Sequence, residues 1–147
     1  VPERLGALLK KHPHARAKLA EALVLPGEEP VELVGILADR VRAVMTERGW
    51  RRPKVVLCDH GTPLRAVTEV RDRLAKALAV ALRDETEAVA PASMERREGD
   101  EYAFNEPLLE TRLGQAPFDS GDVVVALQFL SPGRHAGPGA VSYTHLT

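Results

Sequence analysis

The hydrophobic pattern of this chain contains three short apolar runs, separated by stretches with helical spacing. Residues 54–59 (KVVLCD) and 123–129 (VVVALQF) are rich in β-branched and aliphatic residues without alternation, which is typical of strands buried on both faces of a parallel sheet. Residues 86–92 predict a further strand. The intervening apolar spacing predicts helices over about residues 30–48, 64–83 and 106–114. We expect Gly49 to end the first helix and Asn105 to cap the last.

Strands that alternate with helices through short links predict an α/β fold with right-handed crossovers. The first part of the chain contains only the end of a helix near residues 5–11, a weak strand pattern within residues 15–25, and the helix over residues 30–48. We interpret residues 1–52 as the closing strand and helix of a preceding repeat. Residues 53–139 then form a second repeat, which stops before its own closing elements.

The last eight residues, AVSYTHLT, match no strand or helix pattern. They resemble a translated sequencing adapter, and we expect residues 140–147 to be an artefact in which His145 has no function. The chain also begins at Val1 rather than at a methionine, so we expect it to be a piece of a longer protein.

Composition narrows the classes of function. The 147 residues carry a net charge of −1, which gives no bulk attraction to nucleic acid or to a membrane surface. A single cysteine excludes an internal disulfide. No apolar run approaches the roughly 18 residues of a membrane span, and no signal peptide opens the chain. These features predict a cytoplasmic protein.

Two histidines each follow a predicted strand. His60 comes directly after residues 54–59, and His135 follows the last strand and the turn at residues 131–134. Gly61, next after His60, is expected to allow close approach of the backbone. Because parallel strands end at one edge of a sheet, where ligands of open α/β sheets bind, we expect both imidazoles to face one cleft. Either could bind a metal ion or accept a proton near neutral pH. Each could equally be a structural histidine that caps a helix or hydrogen-bonds its loop.

Two histidines are too few for a closed zinc site, which takes four protein ligands. An incomplete set of ligands favours transient metal handling, with the substrate supplying the rest. Cys58 is expected to face the core as a small apolar residue. Asp59 either orients His60 or caps its loop, and His12 and His14 are expected at the surface.

The loop at residues 94–98 (MERRE) is expected to border the same edge. Arg96 and Arg97 could bind carboxylates there, although a charge run is also typical of a solvated surface. For Glu106 we favour a structural role at the start of its helix. The chain has no P-loop, no G-x-G-x-x-G, no nucleophile elbow and no H-E-x-x-H, so nothing suggests a nucleotide.

Four segments together resemble a known family: residues 57–63 (LCDHGTP), 92–97 (ASMERR), 104–109 (FNEPLL) and 129–139 (FLSPGRHAGPG). They are similar to CbiX-type sirohydrochlorin chelatases, class II tetrapyrrole chelatases, in their tandem-repeat, cobalamin-biosynthesis-like branch. The resemblance extends over about residues 54–139, and residues 1–50 look like the tail of a preceding repeat. It implies an α/β three-layer sandwich with a parallel sheet.

The resemblance also implies residue roles. His60 corresponds to a metal ligand and proton acceptor, and His135 to a second metal ligand. Arg96 falls near a substrate-contacting position. Asp59 departs from the glycine usual in short members of the family. The segment implied to line the tetrapyrrole cleft comprises Phe129, Leu130, Ser131, Pro132, Gly133 and Arg134.

The expected function is therefore insertion of a divalent metal ion into sirohydrochlorin, as a lyase of cobalamin or sirohaem-type biosynthesis. The metal is a substrate, Co²⁺ first, with Fe²⁺ and Ni²⁺ as alternatives, and selectivity among them depends on geometry and supply. The competing interpretation is a non-catalytic metal- or tetrapyrrole-binding repeat of a tandem protein. A second chelatase repeat or a second copy of the chain is the expected protein partner.

Overall fold

The computed structural model describes residues 30–128, together with the isolated positions 7, 10, 11 and 14. The chain divides into two units, Val1–Pro30 and Val31–Thr147, and the described elements belong to the second. In chain order they are helix α1 (Val31–Arg48), strand β1 (Lys54–Asp59), helix α2 (Arg65–Ala81), strand β2 (Val89–Ser93), a 3₁₀ helix (Asp100–Asn105), helix α3 (Leu109–Leu113) and strand β3 (Val123–Leu127).

The three described strands form one parallel sheet in the order β2-β1-β3. Val55 pairs with Val89 on one side and with Val124 on the other, and the register continues without a break toward the strand ends. β1 is therefore central, and all six of its residues are buried. This confirms the predicted α/β class and the doubly buried strand.

Alternate residues of β1 pack against different helices. Val55 and Leu57 join a core cluster with α1 and α2, whereas Val56 and Cys58 join a second cluster with α3. Because successive side chains of a strand point to opposite faces, helices cover both faces of the described sheet. The first cluster includes Val34, Leu37, Ala38, Val41, Leu74, Ala75, Leu78 and Leu82; the second includes Ala92, Leu109, Leu113 and Phe118.

The prediction for helix α1 is confirmed to within one residue. It begins at Val31 and ends at Arg48, and Gly49 follows with a φ of 69°, in the left-handed region that favours glycine. Helix α1 shares a core with the sheet. The assignment of residues 1–52 to a preceding repeat, of residues 53–139 to a second one and of residues 140–147 to an artefact stays a prediction.

The predicted start of the strand over residues 86–92 is wrong by three residues, because β2 begins at Val89 rather than Thr86. Thr86 instead closes the end of helix α2: its backbone N–H donates to the carbonyl of Leu82 at 2.9 Å and its hydroxyl donates to the same oxygen at 3.0 Å. A threonine that satisfies the orphan carbonyls of a helix end is not available to the sheet.

The predicted cap at Asn105 is also wrong. Helix α3 begins at Leu109, with Leu108 at the cap position and no side-chain cap, while Asn105 is fully buried and bonds to a different loop. The Glu106 carboxylate accepts the Leu108 N–H at 3.0 Å, which agrees with the structural role favoured for it. The helix ends at Leu113 with Gly114 at the C-cap position, near the predicted end.

Among the described residues, no helix combines the length and apolarity needed to cross a bilayer. His14 is exposed, as predicted. The strand expected within residues 15–25 and the surface position of His12 lie outside the described residues.

Replacement of Leu74, which is fully buried between helix α2 and the sheet, is expected to weaken the fold. Leu74→Ala removes buried methyl groups and leaves a cavity, so the free energy of unfolding falls by about 3 kcal/mol in urea titration. Val80→Ala on the same helix is the matched control because Val80 is 70% exposed, and it changes stability by less than about 0.5 kcal/mol. Equal effects of the two substitutions would contradict this packing.

Candidate functional site

His60 lies at the carboxyl end of the central strand, with its side chain 53% exposed. Backbone pairing between β1 and β2 continues past both strands: Met94 N–H donates to the Asp59 carbonyl at 2.8 Å, and Glu95 N–H donates to the His60 carbonyl at 3.3 Å. This pairing brings the Glu95 carboxylate Oε1 to 3.7 Å from His60 Nδ1. The loop at residues 94–98 thus borders the edge that carries His60, as predicted.

Gly61 permits this close approach of two loops. Its φ is 97°, and a Cβ at this position would collide with the backbone carbonyl oxygen of Glu95. The sequence prediction that Gly61 allows close backbone approach is confirmed.

The Asp59 carboxylate, just beneath this loop, holds it from inside the protein. Asp59 is buried, and its Oδ1 accepts the Gly61 N–H at 3.1 Å and the Ser93 hydroxyl at 2.6 Å. Of the two roles considered for Asp59, these bonds correspond to capping of the loop. A short polar side chain that bonds the backbone two residues later is a frequent way to stabilise such a turn.

Arg71 of helix α2 is the counterion of this buried carboxylate, and the sequence did not suggest it. Its side chain is 1% exposed, with Nη1 at 3.9 Å from Asp59 Oδ1. Nη1 also donates to the Ser93 hydroxyl and to the Asn105 carbonyl, while Nε and Nη2 donate to the carboxylate of Asp72. Burial of a charge is tolerated where it is paired and hydrogen-bonded in this way.

Asn105 binds the same loop from its other side. Its Oδ1 accepts the Thr62 N–H at 3.0 Å, and its Nδ2 donates to the Thr62 carbonyl at 2.9 Å. Nδ2 also donates to the Tyr102 carbonyl at 3.0 Å, and Oδ1 lies 3.4 Å from the Thr68 hydroxyl. One side-chain amide therefore satisfies both backbone polar groups of Thr62, as a neighbouring strand would.

Cys58 faces the core, as predicted, and is fully buried. Burial raises the pKa of its thiol from 9.0 to about 12; the adjacent Asp59 carboxylate acts in the same direction and Arg71 in the opposite one. The thiol is therefore protonated at neutral pH. Since a metal ligand or nucleophile must be a thiolate, this buried thiol is poorly suited to either role.

Arg96, predicted to contact the substrate, makes three hydrogen bonds within its own loop. Its Nε donates to Glu106 Oε1 at 2.7 Å, and its Nη1 donates to the carbonyls of Arg97 at 3.2 Å and Gly99 at 3.0 Å. These bonds hold the loop in shape and occupy two of the three guanidinium nitrogens.

The other predicted site residues lie outside the described residues. They are His135 and the segment Phe129, Leu130, Ser131, Pro132, Gly133 and Arg134. The chain reaches Gln128 at the same edge as His60, because Gln128 N–H donates to the Cys58 carbonyl at 2.9 Å. The side-chain Oε1 of Gln128 is buried and has no hydrogen-bond partner among the described residues.

Within the part of the chain that the structure describes, no three metal-ligating side chains cluster together. Comparisons with known proteins give no match: no family model, no curated protein and no solved structure matches this chain. The described site is therefore one exposed imidazole with a nearby carboxylate, on a loop fixed by a buried polar network.

Removal of the Asn105 amide is expected to release the His60 loop. Asn105→Ala leaves two backbone groups of Thr62 without partners, so we expect a loss of about 2–3 kcal/mol in unfolding free energy and faster hydrogen exchange at the Thr62 amide. Gln115→Ala is the control, because Gln115 is exposed. An unchanged exchange rate at Thr62 in Asn105→Ala would contradict the described bonding.

The raised pKa of Cys58 predicts an alkaline loss of stability. Between pH 9.0 and about 12 the unfolded chain loses the thiol proton while the folded protein keeps it. The free energy of unfolding therefore falls as pH rises, by roughly 1.4 kcal/mol per pH unit from this group. Cys58→Ala lacks this contribution, so the stability advantage of the wild type over the variant narrows across the window in urea titrations. If the difference in unfolding free energy between the wild type and Cys58→Ala stayed constant over this pH range, the raised pKa of Cys58 would be contradicted.

Proposed function

We propose that this chain is a tetrapyrrole metal chelatase that inserts a divalent metal ion into sirohydrochlorin, with Co²⁺ as the first candidate and Fe²⁺ or Ni²⁺ as alternatives. One observation carries the proposal: His60, the residue to which the chelatase resemblance gives the metal-binding role, lies exposed at the carboxyl end of the central strand. This is the edge at which open α/β sheets bind ligands. Helices on both faces of the described sheet are compatible with a chelatase-like three-layer sandwich.

Metal insertion exchanges two pyrrole N–H protons of the macrocycle for one divalent ion. The reaction needs a ligand that holds the ion weakly and a base that takes the protons. An imidazole can serve in both capacities. The Glu95 carboxylate, 3.7 Å from Nδ1, would stabilise the imidazolium that forms when His60 takes a proton.

The buried network supports this role by fixing the position of His60, and its own residues do not react. Asp59 and Asn105 bond the backbone of Gly61 and Thr62, so the loop that carries His60 is fixed before a ligand arrives. Preorganisation of this kind lowers the cost of aligning catalytic groups. His135 is proposed as the second metal ligand.

We further propose a cytoplasmic setting, with a preceding chelatase repeat or a second copy of the chain as partner, and residues 129–134 as the wall of the tetrapyrrole cleft. The competing function is a non-catalytic repeat that binds metal or tetrapyrrole for a catalytic neighbour. The internal engagement of Arg96 by Glu106 favours the metal-binding form of that alternative, because it occupies a guanidinium expected to bind the tetrapyrrole.

Replacement of the two histidines tests catalysis. His60→Ala is expected to slow insertion of Co²⁺ into sirohydrochlorin, followed by absorbance, about a hundredfold or more, and His135→Ala is expected to slow it as well. His14→Ala is the matched control because His14 is exposed and distant in sequence.

The assay separates the two functions when combined with a Co²⁺ titration of the wild type. Metal binding without insertion would support the non-catalytic repeat. Insertion at the wild-type rate in both His60→Ala and His135→Ala would overturn the catalytic proposal.

A further inference from the structure

Two arginines and two aromatic rings form a cluster beside the His60 loop. Tyr102 and Phe104 of the 3₁₀ helix pack edge to face, with ring centroids 6.4 Å apart. The guanidinium of Arg65 lies over the Phe104 ring at 4.8 Å, and that of Arg97 lies over the Tyr102 ring at 5.8 Å. Both distances are within the range of cation–π attraction. We call these four residues the arginine–aromatic cluster.

The cluster is tied directly to the candidate site. Asn105 follows Phe104 in the chain, and its side-chain amide hydrogen-bonds both the N–H and the carbonyl of Thr62. Its Nδ2 also donates to the Tyr102 carbonyl. Arg65 begins helix α2 three residues after Thr62. The cluster and the loop that carries His60 therefore share one set of hydrogen bonds and lie at the same edge of the sheet.

The two guanidiniums of the cluster differ from those described arginines that are paired with a carboxylate, among them Arg96 of the adjacent loop. Arg96 is paired with Glu106, Arg71 with Asp72, and Arg42 with Glu85. Across residues 30–128, neither Arg65 nor Arg97 has a carboxylate within ion-pair distance. The segment of Arg97 does contain carboxylates, those of Glu98, Asp100 and Glu101, so its lack of an ion pair does not reflect a lack of acids nearby in the chain.

We propose that Arg65 and Arg97, rather than Arg96, bind the carboxylate groups of the ligand that is processed at His60. A guanidinium over a ring retains its fork of N–H donors, and this fork matches a carboxylate in a bidentate geometry. The rings restrict the motion of both side chains, so less conformational entropy is lost when a carboxylate binds.

This inference rests on the proposed function for the identity of the ligand, a planar macrocycle bearing several carboxylates. Two separated cations suit such a ligand because two carboxylates of one molecule can be bound at once, and the second contact is then intramolecular. Phe104 and Tyr102 are half-buried and add apolar surface between the charges.

The test measures equilibrium binding without metal, so that it does not depend on insertion. Metal-free sirohydrochlorin is titrated by absorbance and mellitate, a benzene hexacarboxylate, by calorimetry, each into the wild type and into Arg65→Gln/Arg97→Gln. The control is Arg48→Gln/Arg51→Gln, which makes the same change in net charge with two exposed arginines near the opposite edge of the sheet.

We expect the cluster variant to raise the dissociation constant for both probes about tenfold, the equivalent of about 1.4 kcal/mol, with a smaller difference at high salt. The control variant is expected to change it less than twofold. If the cluster variant binds mellitate about tenfold more weakly than the wild type, but the wild type does not bind sirohydrochlorin, the carboxylate-binding site is supported and the proposed function fails.

Three results would overturn the inference. The first is unchanged affinity of Arg65→Gln/Arg97→Gln for both probes, which would leave the proposed function intact if sirohydrochlorin still binds. The second is an equal loss in Arg48→Gln/Arg51→Gln, which would indicate attraction by net charge alone. The third is tighter binding of pyrophosphate, titrated into the wild type by the same calorimetry, than of mellitate, which would assign the cluster to phosphate ligands.

Discussion

The buried guanidinium of Arg71 is the contact on which the candidate site depends. It joins three parts of the chain that meet at the carboxyl edge: the end of β1 at Asp59, the end of β2 at Ser93 and the 3₁₀ helix at the Asn105 carbonyl. A charge 1% exposed would be strongly unfavourable without such partners. Because loss of one partner of a buried pair leaves the other charge uncompensated, the elements of this edge are coupled to one another.

The residues that hold the loop in place are distinct from the residue that would contact a ligand. Beneath the loop, Asp59 and Asn105 bind backbone groups of Gly61 and Thr62, and all of their bonds lie within the protein. Above it, the imidazole of His60 is exposed beside Glu95. Rigid backbone with an accessible side chain is the arrangement expected where a transient ligand must be held in a fixed orientation.

The sequence predicted the parts of the fold that follow from apolar pattern and special backbone conformations. The doubly buried β1, the limits of helix α1, the roles of Gly49 and Gly61, and the buried Cys58 were all predicted correctly. Val67 shares the apolar helical spacing of Leu74 and Leu78 in helix α2, yet it is 46% exposed, while Thr68 and Arg71 are buried. Apolar spacing cannot identify a helix face that packs on polar partners. The signal that was available is the helical spacing shared by Thr68, Arg71, Ala75 and Leu78.

The role of Asn105 was missed because its partner Thr62 is distant in sequence, and a local rule assigned Asn105 to the nearest helix.

Anomalous diffraction at the cobalt edge, from crystals of the full chain equilibrated with Co²⁺, tests most directly whether this edge presents a metal ligand. We predict a cobalt peak at about 2.0–2.1 Å from an imidazole nitrogen of His60, the distance at which zinc, another divalent first-row metal, binds histidine, with the loop at Gly61 and Thr62 unchanged. Cobalt bound only at other residues, with the His60 imidazole unoccupied at saturating Co²⁺, would contradict the assignment of this loop as a metal-handling site.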